Sequence, residues 1–342
     1  MNIYQKSGYL DVRALKSVGM PFIFVTGGRG TGKTFGELED CIERGVKFIY
    51  MRRTQTEVDN VATVAELNPF AGYNKAKGRN ISFEKRGKIY RIIEPTDGEE
   101  SAFMGVMLAL STFATIRGFD GTQFDELFYD EFIPETHVHL LRDEHMALLN
   151  AVESVGRNRE LQGLPPLTVF CASNSNRLDN AIYMGLNLVG KVDAMKRKGQ
   201  TYSIIKERGI LLVNMEGSPI SEKKRDTALY RMARGTGFAS MALENRYVGE
   251  RENNPRIKRQ NIAEYRPLVV VGEVCIYAHK SKDLFYASRK ISGSPPSFEM
   301  FDSDIQLFKR TYGYLWLRYL DGRVLCEDRL TELLLTKIWN KV

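Results

Sequence analysis

The chain has 342 residues, enough for two or three domains, and its apolar fraction of 43% is that of an ordinary globular protein. A net charge of +7 suits a polyanionic partner without demanding one. There is no run of about 18 apolar residues to span a membrane and no secretion leader. The four cysteines, Cys41, Cys171, Cys275 and Cys326, are spaced for neither a zinc site nor an oxidising compartment.

In chain order, Phe22 to Thr26 predicts a buried strand, followed by a glycine-rich loop and a helix with Phe35, Leu38 and Ile42 on one face and Gly45 as its stop. "VKFIYM" is a second strand. Val58, Val61, Ala62 and Ala65 mark another helix, ended by Asn68-Pro69. "RNISFEKRGKIYRIIE" predicts a hairpin turning at Arg86-Gly87. "GVMLALS", "LFY" and "LTVFCAS" are further strands, with a helix from about Leu140 to Val155. Strands alternating with helices imply a largely parallel sheet covered on both faces. Met195 to Glu250 is polar, basic and glycine-rich, and predicts a small connecting region. "PLVVVGEVCIYAHKSKDLFYAS" predicts two strands around a polar turn, with helices following from Ser303 and Arg323.

The chemistry begins at "GGRGTGKT". Gly27, Gly28, Arg29, Gly30, Thr31 and Gly32 form a loop whose amides can point into one concavity, at the positive end of a helix. Lys33 then reaches the β- and γ-phosphates of a nucleotide, and the Thr34 hydroxyl binds Mg²⁺. A strand before the loop and an amphipathic helix after it supply the context such a loop needs. A second carboxylate is required at a neighbouring strand tip. "LFYDEF" offers Asp130 for the Mg²⁺ shell and Glu131 to activate water. That acid pair favours an ATPase over a small-molecule kinase.

Other residues leave alternatives open. Arg157 and Arg159 in "GRNRE" follow a helix end, where they either complement its dipole or reach a neighbour's γ-phosphate. Ser173, Asn174 and Asn176 end a strand beside the loop, as phosphate reporters or as helix caps. Arg52, Arg53 and Arg117 are either site cations or surface charges. His137, His139 and His145 lie close together, but a solvated loop explains them better than a metal does.

The order "TGGRGTGKT", "FIYMRR", "LFYDEFI", "ALLNAVESVGRNRE", "CASNSN" and "MALENRYVG" resembles the DNA-packaging motor ATPases of small tailed bacteriophages, relatives of the large terminases. The likeness runs from about residue 20 to 250 and weakly onward. It implies an α/β, ASCE-type P-loop ATPase domain over 1–195, a linker or lid over 196–250, and a C-terminal α+β domain over 251–342 that is RNase H-like and vestigial. It implies ATP and Mg²⁺ as cofactors, with Lys33 and Thr34 as the Walker A pair and Asp130 and Glu131 as the Walker B pair. Asn174 and Arg117 then belong to the nucleotide site, and Arg157 is the trans-acting arginine with Arg159 in reserve. The partners implied are double-stranded DNA, the portal of a viral procapsid in the host cytoplasm, and further copies of the chain in a ring, pentameric in that family. A scaffold RNA stays open. "PLVVVGEVCIYA" carries Glu273 but no acidic cluster for two metals, so no nuclease activity is expected. Two other functions compete: a P-loop ATPase that remodels protein, and a helicase.

Overall fold

The computed structural model describes residues 1–96, 100–113, 119, 121–134, 141, 143–236, 239 and 254–341. The chain forms two compact units, one of residues 1–186 with 198–250, the other of 187–197 with 251–342.

The first unit is built on a nine-stranded sheet of order β3-β4-β5-β2-β6-β7-β1-β9-β8. The strands are β1 (Phe22–Thr26), β2 (Phe48–Arg52), β3 (Ser82–Arg86), β4 (Ile89–Glu94), β5 (Ala102–Ala109), β6 (Glu126–Asp130), β7 (Thr168–Ser173), β8 (Tyr202–Ile205) and β9 (Ile210–Asn214). The six from β5 to β9 in that order pair in parallel, and antiparallel strands close both edges. Parallel strands covered on both faces need continuous apolar runs. β6, β7, β1 and β9 are buried along nearly their whole length. The predicted hairpin is β3–β4, turning through Gly87 at φ 63°.

Two expectations need correction. The stretch taken for a connecting region supplies β8 and β9, and β9 lies directly beside β1. Its flanking lysines masked a buried strand of five residues. Phe35 does not join the core with Leu38 and Ile42. It is 41% exposed, at the first turn of its helix.

The helix Lys33–Arg44 is tied to β6 by buried charge. Lys16 Nζ lies 2.9 Å from Glu37, 2.8 Å from Asp40 and 2.5 Å from Glu126, the first residue of β6. Arg44 pairs with Asp40 at 2.9 Å and with Glu126. The Cys41 thiol donates to Glu126 at 3.0 Å. Burial pushes the Glu37 carboxyl up to about 8, against the pull of Lys16. Beside it the Asp40 and Glu126 carboxylates face Lys16 and Arg44, and Arg13 also reaches Asp40 at 3.2 Å. Glu37, Cys41 and Glu126 could converge on a metal, but the Lys16 ammonium already supplies the cation there.

The second unit holds a five-stranded sheet of order β13-β10-β11-β12-β14: β10 (Tyr265–Val271), β11 (Val274–His279), β12 (Phe285–Ser288), β13 (Ser297–Phe298) and β14 (Val324–Cys326). The segment expected to give two strands gives three, because both Gly272, at φ 53°, and the polar run after His279 reverse the chain. Helices Asp302–Tyr312, Tyr314–Leu320 and Arg329–Asn340 follow, packing Ile305, Phe308, Leu315, Leu335 and Ile338 on the sheet. Among the described residues no helix is long and apolar enough to cross a membrane.

Removing one partner from a buried ion cluster leaves charge uncompensated, at about 3–5 kcal/mol. Lys16→Met should lose about that much stability in a urea titration. A loss below about 1 kcal/mol would show that the cluster does not hold the helix to β6.

Candidate nucleotide site

Parallel register brings the ends of four strands to one edge. Thr26 pairs with Ser173 and with Asn214, and Asp130 with Ala172. Ligands of open α/β sheets bind beyond this carboxyl edge. The loop from Gly27 leaves β1 there and enters the helix through Gly32, whose φ of 90° few other residues adopt.

Lys33 is buried over the loop. Its amine donates to the carbonyls of Gly27 at 2.8 Å and Gly28 at 2.9 Å, and to Asn174 Oδ1 at 2.9 Å. Burial pushes its pKa down to about 8, although Glu131 and Asp130 pull it upward. Next to it the Thr34 hydroxyl lies 3.2 and 3.3 Å from the two Asp130 oxygens. Tyr50 and Arg52 each reach Asp130 Oδ2 at 3.0 Å. Asp130 is thus held by three neighbours with an oxygen facing the threonine. A hydroxyl and a carboxylate are the hard oxygen donors that Mg²⁺ prefers.

Glu131 follows with φ at 56°, a left-handed conformation that costs a non-glycine residue about 1–2 kcal/mol. In a continued strand, Asp130 and Glu131 would point to opposite faces. The left-handed turn ends that alternation. Glu131 accepts from the Asn174 amide nitrogen at 3.3 Å and from its side chain. Asn174 therefore bridges Glu131 to Lys33. Burial first, and then Asp130, raise the Glu131 pKa. Two residues further, Asn176 is buried, and neither side-chain amide atom has a hydrogen-bond partner among the described residues.

A cavity of about 610 Å³ opens beside the loop. Tyr9 and Phe35 line it, with Gln5, Glu39 and Asn174 as polar groups. The N-terminal segment is pinned there by Leu10 N donating to Thr31 O at 3.0 Å. Nothing in the sequence pattern had linked residues 5–10 to the loop.

The arginines divide. Arg157 ends the helix Glu144–Gly156 at φ 39°, ψ −127°, exposed, donating to the carbonyls of Ser154 at 3.2 Å and Phe119 at 3.0 Å. Arg159 is buried. It donates to the carbonyls of Pro165 at 3.2 Å, Thr122 at 3.3 Å and Phe124 at 2.8 Å, and pairs with Asp125 at 2.8 Å. A guanidinium so engaged fastens its own chain. Arg53 is likewise interior, on Glu144 at 2.8 Å, while His145 packs on Gly185. Arg117, His137 and His139 lie outside the described residues.

A family model for the podovirus DNA encapsidation protein (Gp16) matches residues 4–289. The chain belongs to that family. It is 25% identical over 253 residues to the DNA packaging protein of Bacillus phage phi29, and equally to that of Bacillus phage PZA, covering 72% of this chain and 68% of each relative. Among solved structures, a chain of the bacteriophage Phi-29 viral genome packaging motor assembly is similar with a TM-score of 0.68 at 20% identity, over 97% of this chain and 98% of that one. A chain of the Phi-28 gp11 DNA packaging motor gives 0.62 at 18% identity, over 96% of each. These likenesses bear out the resemblance read in the sequence, and the two structures extend the shared fold to nearly the full length.

The depressed Lys33 pKa has a measurable consequence. At about pH 8.5 more than half of the free Lys33 amines are neutral. A bound polyphosphate favours the charged form and raises that pKa. Nucleotide binding should therefore take up a proton in the window just above pH 8 and not below pH 7, read by calorimetry in buffers of different ionisation heat. The same proton count at both pH values would contradict the placement of Lys33.

Proposed function

We propose that this protein is an ATP-driven motor that moves double-stranded DNA into a viral procapsid. The observation that carries the reading is the Lys33–Asn174–Glu131 bridge beside Thr34–Asp130, in a chain of the encapsidation family. It joins a phosphate loop to a water-activating carboxylate. One strand, β7, stands between the loop strand and the acidic strand, in keeping with an ASCE-type sheet.

In this reading the loop amides and Lys33 hold the phosphates of ATP. Tyr9 and Phe35 flank its base. Thr34 and Asp130 are the protein ligands of Mg²⁺, which when bound neutralises charge on the β- and γ-oxygens. Glu131 orients the attacking water and takes its proton, and its raised pKa brings it closer to the range useful in a general base. Asn174 touches both Lys33 and Glu131, so it can report to Glu131 where Lys33 stands. Arg157 projects to a neighbouring copy in a ring on the portal and stabilises charge on that copy's γ-phosphate. Its strained backbone supports this, because strain of about 1–3 kcal/mol concentrates at functional positions.

The domain reading keeps an ATPase core and a lid in the first unit and gives the second unit a nuclease-like fold without cleavage chemistry. Glu273 stands exposed in the β10–β11 turn. Among the described residues, no three metal-ligating side chains converge in that unit. Purified protein with Mg²⁺ or Mn²⁺ should leave duplex DNA intact. Cleavage lost on Glu273→Ala would reverse that assignment.

Mixing two inactive variants tests the motor reading. Glu131→Gln should bind ATP and not turn it over. Arg157→Ala should bind ATP and DNA and hydrolyse slowly, since a finger contributes about 10³ to 10⁵ in rate. Mixed rings pair an intact Glu131 with an intact Arg157, so activity should reappear. Activity no greater than the sum of the parents, where wild type forms rings, removes Arg157 from the role. Turnover should rise with duplex DNA of any sequence and fall steeply with salt. Stimulation by single strands alone would favour a helicase, and none by DNA a protein remodeller.

A further inference from the structure

Three successive loop carbonyls accept hydrogen bonds from two lysines. Lys33 takes those of Gly27 and Gly28. The third, at Arg29, accepts from Lys224 Nζ. That amine lies 2.6 Å from where a Cβ on Gly30 would stand, so it touches the loop's rim. Lys224 ends the short helix Pro219–Lys224, far away in sequence and within the stretch that composition alone assigns to a linker.

The placement is built. Met215 N continues the β1–β9 ladder by donating to Thr26 O at 2.8 Å, and the Met215 side chain fills the space a Cβ on Gly27 would need. Ser218 N donates to Met215 O at 3.2 Å, and the Ser218 hydroxyl caps the helix by accepting from Ser221 N at 3.2 Å. On its other side Pro219 packs against Gly8, and Lys223 donates to Ser7 O at 3.3 Å. The strand beside β1 thus delivers the helix onto the phosphate loop.

Lys224 is half-buried, and among the described residues no carboxylate pairs with it. Its charge disfavours that of Lys33 across the loop. Two ammonium groups facing one loop repel each other, and carbonyls compensate them weakly. A polyanion between them removes both costs.

We propose that Lys224 donates to the terminal phosphate of the bound nucleoside triphosphate, as a second lysine acting within the same subunit. The proposal rests on the ATPase reading. Lys33 reaches the loop from the helix that follows it, at the carbonyls of Gly27 and Gly28, whereas Lys224 reaches it at residues 29–30 from a separate helix. The two amines would grip the γ-phosphate together, and Arg157 of a neighbour would complete the charge. A group on the γ-phosphate distinguishes ATP from ADP, which one on the α- or β-phosphate does not.

The test measures affinity for ADP and for a non-hydrolysable ATP analogue, both with Mg²⁺, by calorimetry on the full chain. Losing a charge-assisted hydrogen bond corresponds to about tenfold to a hundredfold in affinity. Lys224→Gln should weaken the analogue by at least about tenfold and leave ADP within about twofold. Lys224→Arg, which keeps charge and reach, should retain most of the preference for triphosphate. Equal weakening of both nucleotides, or no change in either, overturns the proposal. Wild type binding neither nucleotide would defeat the ATPase reading itself, and the role of Lys224 with it. Matching melting temperatures for the three proteins separate lost contact from lost fold.

Discussion

The helix Lys33–Arg44 is bound to β6 at both ends, and the site depends on that double tie. At one end the Thr34 hydroxyl meets Asp130, the last residue of β6. At the other, Arg44, Cys41 and Lys16 meet Glu126, the first. Ten residues of helix rise about 15 Å, and four steps of strand span about 13 Å. Helix and strand therefore run antiparallel over matched lengths. A shift of one helical residue would move Thr34 by about 1.5 Å, enough to break its contact with Asp130. The buried cluster lies at the far end of the helix from the glycine loop, yet it sets the spacing of the Thr34–Asp130 contact.

Within this frame the groups proposed to respond to the γ-phosphate sit on short or strained backbone. Glu131 and Arg157 both have positive φ. Lys224 ends a six-residue helix. Lys33, Thr34 and Asp130 instead belong to regular elements with buried neighbours. The division is physical: ligands that must hold a fixed distance gain from rigid supports, and groups that respond to the γ-phosphate need short segments that can readjust. The exposed position of Arg157 agrees with the role proposed for it, because a finger must leave its own surface to be of use to a neighbour.

The loop, the acid pair and the hairpin were legible in the sequence because each is local. Glycine positions, a lysine-threonine pair and two adjacent acids report their chemistry through spacing alone. The misreadings share one cause, which is that charge and polarity were taken as exposure. Arg159 and Arg53 are interior because carbonyls, Asp125 and Glu144 receive them. β9 went unseen between basic flanks, although "ILLVN" is entirely buried. Phe35 failed the other way, as an aromatic ring on a helix that faces a cavity rather than the core. The places of Tyr9 and Lys224 had no local signature, since each reaches the loop from a segment that only the folded sheet brings near.

That last point bears on how hydrolysis could do mechanical work. β9 pairs with β1 through its whole length, so its end cannot move relative to the loop without breaking the sheet. Just beyond Asn214 the chain is held by Met215 on Thr26, by the Ser218 cap, by Pro219 against Gly8 and by Lys223 on the Ser7 carbonyl. In the arrangement proposed above, a γ-phosphate between Lys33 and Lys224 would pull the helix Pro219–Lys224 toward the loop, and its loss would restore the repulsion between the two amines. The free energy is modest, of the order of one charge-assisted hydrogen bond, about 1.5–3 kcal/mol. It acts ahead of Leu229 and Met232, which are largely exposed. The helix Pro219–Lys224 closely follows β9, all five residues of which pair with β1.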